Sequence, residues 1–434
     1  MIFIEIISYF VLMYPLSMSI AWIIGGLVFS LRWERKKEKA LPFYPFFSII
    51  VPARNEETII ADTILKLKTL DYPKYEVIAV NDGSTDRTGE IIDRLAEEHY
   101  PWLRAVHVEP NSGKSQALNA GILLSQGEFI LTIDADCLVH EDTLKLMAWH
   151  LVSFPRVGAV TGNPRVWNRT TLLGKIQIGE YSNIIGLIKR TQRILGKVLT
   201  VSGVIAAYRK SALLECGLFD SNTVTEDIDI TWKLQKKFWD IRYEPQALCW
   251  VLVPETLKGL WRQRIRWAQG GVEVIKKHVN IWRHWHYRRL WPVYVDYCTG
   301  ILWAYSFFFL VCFWLVFLVW DSLCSLYVVQ TYCPVVVDIY SRLAAPNNPI
   351  YPRWAGAILC LACLMEFFVS FMIDYRYERK GFFRYYFWVI WYPFVYWIIS
   401  ALTAIKGSYN VFFSRKGVTV RWTSPDRGIH TLKS

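Results

Sequence analysis

Long uncharged apolar stretches lie towards both ends of the chain, and a regular alternation of strand-like and helix-like segments lies between them. Residues 6–31 carry no charge, a run long enough to cross a hydrocarbon core, with Pro15 as an expected kink. Three further apolar stretches, 291–320, 354–373 and 385–405, are each long enough to span, and Trp and Tyr near their ends suit interfacial belts. The middle of the chain reads like an ordinary soluble domain. Residues 46–51 form a compact apolar run ending at Pro52, which predicts a buried strand. Helical spacing over 57–70 precedes a second strand at 76–80, which ends in the turn residues Asn81-Asp82-Gly83-Ser84. A helix over 88–99, a strand over 104–108, a helix over 115–125 and a strand over 129–133 follow, the last ending at Asp134. This rhythm predicts an α/β domain with a mostly parallel sheet and crossover helices. In such sheets ligands bind outside the carboxyl ends of the strands.

Beyond residue 254 the pattern changes. Residues 254–278 set Trp261, Ile265, Trp267, Val272 and Ile275 among Arg262, Arg264, Arg266, Lys276 and Lys277, which predicts a helix lying in the membrane interface. The expected organisation is an N-terminal span with a basic flank (1–40), a catalytic α/β unit (41–253), interfacial helices (254–290), and a membrane region of about three spans with a basic tail (291–434). There is no low-complexity segment and no internal repeat.

Charge refines this picture. The chain has 434 residues, 53% of them hydrophobic, and a formal net charge of +12. The basic excess suits either nucleic acid or a membrane surface with anionic substrates. Its clustering beside apolar runs favours the second, so no nucleic-acid partner is expected. Arg32, Arg35, Lys36, Lys37 and Lys39 follow the first span, diluted by Glu34 and Glu38, which places the N-terminus outside and the middle domain in the cytoplasm. A signal peptide fits less well, since these charges follow the apolar run and no small-residue cleavage site appears. Four spans would leave the tail outside, although Lys406, Arg415, Lys416, Arg421 and Arg427 argue against that side. Either the tail is an exception to the rule or one stretch is re-entrant. The nine cysteines lack zinc-type spacing; Cys360 and Cys363 read as small hydrophobes in an apolar run. Cys324 and Cys333 would pair only if their loop faces an oxidising compartment.

Four motifs carry candidate chemistry. Asp82 closes the second strand, although Asn-Asp-Gly-Ser matches many turns. Asp134-Ala135-Asp136 closes another, and two carboxylates one residue apart at a strand end can share a Mg2+ or Mn2+ that neutralises a diphosphate leaving group. The competing reading is a solvated turn. Thr225-Glu226-Asp227, followed by Asp229, offers a carboxylate as general base for an acceptor hydroxyl. It also reads as a helix start with Thr225 as cap. Gln263-Arg264-Ile265-Arg266-Trp267 combines Trp for stacking on sugar faces with Arg for diphosphate. A generic interfacial helix would explain Arg and Trp in bulk, but not their order after three acidic motifs.

Other residues change less. Gly113-Lys114-Ser115 resembles the end of a phosphate loop, but that loop needs a glycine where Val108 stands, so a nucleotide-hydrolysing loop is excluded. Lys114 at a helix start can still reach donor phosphate. Glu366 and Asp296 lie in or near spans, where they line a polar path or pair with a neighbouring helix or subunit. His284 and His286 read as interfacial side chains.

Asp82, Asp134-Ala135-Asp136, Thr225-Glu226-Asp227 and Gln263 to Trp267 resemble, in order, the signature of processive family 2 glycosyltransferases, which include cellulose, chitin and hyaluronan synthases. The segments at 160–165, 174–177, 179–181, 201–207, 225–230, 267–271 and 421–428 are similar to those of the bacterial branch that makes β-1,6-linked poly-N-acetylglucosamine. Such proteins often carry two N-terminal spans, and one is visible here. The resemblance implies a GT-A fold and UDP-N-acetylglucosamine (UDP-GlcNAc) as donor. It implies that Asp82, with Ala53 and Glu56 nearby, meets the uridine, and that Asp134 and Asp136 hold metal and diphosphate. It further implies Asp227 as base beside Glu226, and Gln263, Arg266 and Trp267 around acceptor and diphosphate. Inversion through one displacement, a nascent polysaccharide, a small membrane partner subunit, cyclic di-GMP activation and a place in the bacterial inner membrane also follow from it. A β-1,4 polymer synthase and single-sugar transfer to polyprenyl phosphate are the alternative enzymes. A transporter or sensor that merely binds nucleotide is the non-enzymatic one.

Overall fold

A computed structural model describes residues 2–34, 40–324, 355–378 and 381–413. The basic cluster at 35–39, Cys333 with its expected bridge to Cys324, and the tail from 414 lie outside them. The middle of the chain forms an eight-stranded sheet in the order β3-β2-β1-β4-β7-β6-β8-β5. Its strands are β1 (Phe47–Ala53), β2 (Tyr75–Asp82), β3 (Leu103–Val108), β4 (Phe129–Ile133), β5 (Leu138–Val139), β6 (Val157–Val166), β7 (Ile205–Arg209) and β8 (Asp240–Val251). β1 to β4 pair in parallel, with Phe47 opposite both Tyr75 and Phe129. The largely apolar, fully buried character of β1 and β4 follows, because helices cover both faces of a parallel sheet. β7 runs antiparallel between β4 and β6, which lets the second half of the sheet face the same crevice. The chain leaves β1 towards β2 on one side and returns to β4 on the other, so a switch point opens between Ala53 and Asp134.

Helix α1 (Ile2–Arg32) precedes the sheet and runs through Pro15. Around the sheet lie α2 (Ile60–Leu67), α3 (Thr88–Glu98), α4 (Lys114–Leu124), α5 (Thr143–Ser153), α6 (Leu172–Glu180), α7 (Lys189–Leu195), α8 (Lys210–Glu215) and α9 (Glu226–Lys236). The amphipathic stretch is α10 (Leu257–Lys277), which starts where the Thr256 hydroxyl accepts the Gly259 amide at 3.1 Å. Then come α11 (Trp291–Cys324), α12 (Ala355–Asp374) and α13 (Trp397–Phe413). Two glycines fit α10 between its neighbours. A Cβ on Gly270 would lie 2.2 Å from the Thr225 hydroxyl oxygen, and one on Gly407 of α13 would lie 2.7 Å from the Gln269 nitrogen.

Among the described residues, three helices, Ile2–Arg32, Trp285–Trp320 and Gly356–Asp374, are long and apolar enough to cross a membrane. The stretch 385–405, expected as a fourth span, is helical throughout but not one regular α-helix. A run of 3-10 turns covers Phe382–Trp391, a π-type turn covers Tyr392–Tyr396, and α13 follows. Local chemistry explains the break. Gly381 takes a left-handed φ of 68°, and Pro393 supplies no amide for a regular α-helical ladder. Phe382, Tyr385 and Val389 turn inwards, and the Val389 side chain packs on Gly179 of α6.

The sheet and the long apolar helices share one core. Apolar contacts run from Ile49, Leu131 and Val160 through Ile176 and Tyr181 to Phe367, Phe371 and Phe382. Buried charges stitch the same boundary. Asp374 of α12 pairs with Arg165 of β6 at 2.7 Å and Arg190 of α7 at 3.0 Å, while Arg190 also meets Glu34 at 2.5 Å. Within the span, Glu366 accepts from Ser19 of α1 at 2.5 Å and from Asn183 at 2.6 Å. Asp296 accepts from the Tyr14 hydroxyl of α1 at 3.3 Å. Both acids of the apolar helices therefore pair with neighbouring helical segments, the second of the two expected roles.

Candidate active site

The ends of β1, β2 and β4 bring the first two motifs together. Ala53 closes β1 opposite Asn81, and both are buried. Glu56 is buried in the following turn, where its amide donates to the Thr88 hydroxyl at 2.8 Å. Asp82 is fully buried, and its two carboxylate oxygens accept the Ser112 and Gly113 amides, each at 2.9 Å. It thus pins the loop that launches α4. Gly113, at φ 88°, turns that loop so that Lys114 becomes the first residue of α4 and points across the crevice.

Lys114 is the hub of the site. Its ammonium lies 2.6 Å from Asp134, 2.9 Å from Glu226, and donates to the Gly203 carbonyl at 3.1 Å. Burial works against this charge, but Asp134 and Glu226 more than compensate and hold the lysine protonated. The acids divide around it. Burial pushes Asp134 up, against the pull of Lys114 and with the push of Asp136. Glu226 ends below the usual carboxylate range, because Lys114 outweighs its burial. Asp227 is pushed up to about 6 by burial first and Glu226 second, against Lys114, the Ile228 amide and Arg266. Its two oxygens accept the Gly203 amide at 3.1 Å and the Ile228 amide at 2.9 Å. The cap reading is corrected in one respect: Thr225 precedes α9 without a side-chain cap hydrogen bond, and its hydroxyl faces Gly270. Asp229 is fully buried on Lys277 at 2.8 Å and His278 at 3.0 Å, where it ties α9 to the end of α10.

The turn that carries Asp134 and Asp136 is fixed from behind, since the Thr63 hydroxyl donates to the Ala135 carbonyl at 2.6 Å. The donor set fits a hard divalent cation: carboxylate oxygens at a rigid turn, with local negative charge that already draws in an ammonium. Asp134 and Asp136 offer carboxylates of that kind; at a separate place, His140, Glu141 and Asp142 bring ligand atoms within 4.8 Å of one another.

The α10 motif splits between the crevice and the core. Gln263, Arg266 and Trp267 share a helix face by spacing. Arg266 is exposed, and its charge pulls down both Glu226 and Asp227, which puts it within electrostatic reach of that pair. Gln263 is half-buried. Arg264 is buried instead, with an ion pair to Glu180 at 2.5 Å and its guanidinium 4.1 Å from the centre of the Trp267 ring. Arg264 thus backs the ring expected to meet sugar. That pairing was missed, although a lone glutamate in the apolar segment 172–188 signals a buried partner. Glu180→Ala should cost about 3–5 kcal/mol by leaving Arg264 buried and unpaired. Thermal unfolding in detergent checks this; an unchanged midpoint would show that the pair is dispensable.

Residues 45–270 match the family described as "Glycosyltransferase like family 2". Over 428 residues the chain is 36% identical to a poly-beta-1,6-N-acetyl-D-glucosamine synthase of Staphylococcus epidermidis, covering 96% of this chain and 98% of that protein. The synthase of the same name from Staphylococcus aureus strain COL is 35% identical over the same shares. Among solved structures, a mannosyltransferase from Pyrobaculum calidifontis in complex with GDP-Man and Mn2+ superposes with a TM-score of 0.59. It covers 95% of this chain and 99% of its own at 19% identity, a likeness of fold. A GT-A-like sheet with three acidic motifs at its carboxyl edge, helices apolar enough to span a membrane, and relatives matched along nearly their whole length lead to one conclusion: the chain belongs to the family 2 glycosyltransferases.

Proposed function

We propose that this enzyme polymerises N-acetylglucosamine from UDP-GlcNAc into a β-1,6-linked chain, by processive inverting transfer, and exports it across the bacterial inner membrane for a biofilm matrix. The observation that carries the mechanism is the Lys114 hub, which gathers Asp134 and Glu226 beside an Asp227 pushed up to about 6. The near-full-length likeness to poly-β-1,6-N-acetyl-D-glucosamine synthases supports the choice of sugar.

Asp227 takes the proton of the C6 hydroxyl on the terminal sugar of the chain. That oxygen forms its bond to the anomeric carbon of the donor as the bond to the diphosphate breaks, and the electron pair leaves with UDP. One displacement turns an α-linked donor into a β-linked product. A base near 6 is ionised at neutral pH and still has useful proton affinity. Lys114 and Arg266 bring positive charge to the developing diphosphate, and Gln263 and Trp267 shape the acceptor side. Ala53, Glu56 and Asp82 line the uridine end, Asp82 mainly through the loop it holds. A Mg2+ or Mn2+ held by Asp134 and Asp136 would neutralise charge on the leaving group when bound. Asp136→Asn should abolish transfer in membranes supplied with UDP-GlcNAc and Mg2+; wild-type rates would remove the metal role.

The division proposed is 1–40, 41–253, 254–290 and 291–434, with the catalytic unit facing the cytoplasm. With the N-terminus outside and the three long apolar helices found among the described residues as the crossings, the basic tail returns to the cytoplasmic side, where the charge rule favours it. The break in 385–405 supports this re-entrant reading. A small membrane partner and cyclic di-GMP activation stay within the proposal on the family resemblance.

The test is synthesis from radiolabelled UDP-GlcNAc in membranes, followed by linkage-specific digestion. A polymer cut by a β-1,6-specific hexosaminidase and resistant to chitinase is expected. Chitinase digestion would overturn the linkage, and a single sugar extracted with lipid would overturn polymerisation.

A further inference from the structure

Lys189 has no part in the chemistry above, yet its position is costly. It opens α7, directly after a π-type helical segment at Tyr181–Ile188, and is 6% exposed. Its ammonium donates to the Thr161 hydroxyl at 3.3 Å and lies 6.0 Å from the centre of the Tyr243 ring. Among the described residues, no carboxylate lies within ion-pair distance of it. Taking an ammonium out of water without a salt-bridge partner is expensive, and a buried lysine usually sheds its charge or serves the site it faces.

Thr161 connects this cation to the catalytic crevice. Its hydroxyl oxygen also accepts the Ser202 amide at 2.8 Å. The next amide, Gly203, donates to Asp227 at 3.1 Å, and the Gly203 carbonyl accepts from Lys114 at 3.1 Å. The 202–203 turn is therefore held on one side by Lys189 through Thr161, and on the other by Lys114. A side chain on Gly203 would sit 3.0 Å from the Asp227 carboxylate, so the turn lies directly against the proposed base. We infer that Lys189 is a positioning residue for the reaction, which holds the 202–203 turn against Asp227 and adds positive charge behind that carboxylate.

The surrounding groups agree. Burial pulls the Lys189 ammonium down to about 8, and Asp227 is the strongest influence restoring its charge, followed by Cys249 of β8. Tyr243 faces it from β8, and Arg165 of β6 and neighbouring Arg190 are engaged by Asp374. Around Asp227 stand Glu226, Lys114 and Arg266. The attraction that raises Lys189 acts reciprocally on Asp227, so a charged Lys189 is expected to favour the ionised carboxylate. As Lys189 loses its proton above about pH 8, the turn loses its cation.

The inference rests on the reading of Asp227 as the base. Its test is the pH dependence of kcat/KM for full-length enzyme in lipid nanodiscs. Wild type should show an acid limb near 6 and an alkaline limb near 8. Lys189→Met should lose the alkaline limb and raise the acid limb by roughly one unit, as expected when a nearby opposite charge is removed. Lys189→Arg should keep the acid limb in place and move the alkaline one out of range. A uniform fall in rate with both limbs unmoved in Lys189→Met would mean a structural role only and overturns the inference. If Lys189→Met does not fold, the wild type decides: a flat profile between pH 7 and about 9.5, beyond a lysine near 8, also overturns it. If Asp227→Asn stays active, the base reading itself has failed; if Asp227→Asn is dead and the Lys189→Met limbs are unmoved, only this inference has.

Discussion

Asp227→Asn is expected to lower polymer synthesis by about 10²–10⁴-fold, the range for removing a positioned general base. The amide is nearly isosteric and can still accept from Gly203 and Ile228, so the turn and the start of α9 should persist. UDP-GlcNAc binding should survive, because Lys114 and the acids it holds lie on the donor side. The loss should therefore fall on kcat. The sign of the pH dependence follows from the same residue. The base works only when ionised, and burial with Glu226 raises its pKa to about 6. Wild-type kcat/KM should fall as pH drops through about 6, well above the range of an ordinary aspartate. Initial rates across pH check this. An acid limb at or below 4.5, or an active Asp227→Asn enzyme, would assign the base elsewhere.

Lys114→Ala should cost at least about 10²-fold. One ammonium holds Asp134 and Glu226 within 2.9 Å, and its removal leaves buried carboxylates facing one another beside Asp227. Breaking a buried pair from one side costs about 3–5 kcal/mol, because the remaining charge is left uncompensated. Lys114 also pulls Asp227 down, so the variant's acid limb should move above 6. Lys114→Arg keeps the charge and should hold the limb nearer its place, but the flat guanidinium cannot reproduce three contacts made by one nitrogen, so the rate should recover only in part. Rates and limb positions for both variants decide it. A wild-type limb in Lys114→Ala would show that the hub does not tune the base.

The donor end was legible because its signals are local. The buried strands at 46–51, 76–80 and 129–133 appear as β1, β2 and β4 within a few residues, since an apolar run closed by Pro52, Asn81-Asp82-Gly83 or Asp134 contains both strand and stop. Carboxylates placed directly after such runs must emerge at the carboxyl edge of a parallel sheet, so Asp82 and Asp134 were placed by periodicity and turn chemistry. The membrane character of α1, α11 and α12 follows equally from length and lack of charge.

The rest depends on contacts between residues distant in sequence. Nothing beside Lys114 announces that it bridges to Asp134 and Glu226, or beside Arg264 that it meets Glu180. That the two oxygens of Asp82 accept the Ser112 and Gly113 amides, thirty residues on, is likewise not written beside it. Residues 385–405 read as one apolar helix on hydropathy, whereas Pro393 and the inward packing of Phe382 and Val389 divide it into 3-10, π and α segments. Sequence alone determined the α/β rhythm, the strand-end acids and the three long apolar helices, because each is written in neighbouring residues. Tertiary structure decided which charges neutralise one another, which acid is raised towards 6 and which lysine is buried behind it. Those outcomes are set by burial and by partners that only the folded chain brings within a few ångströms.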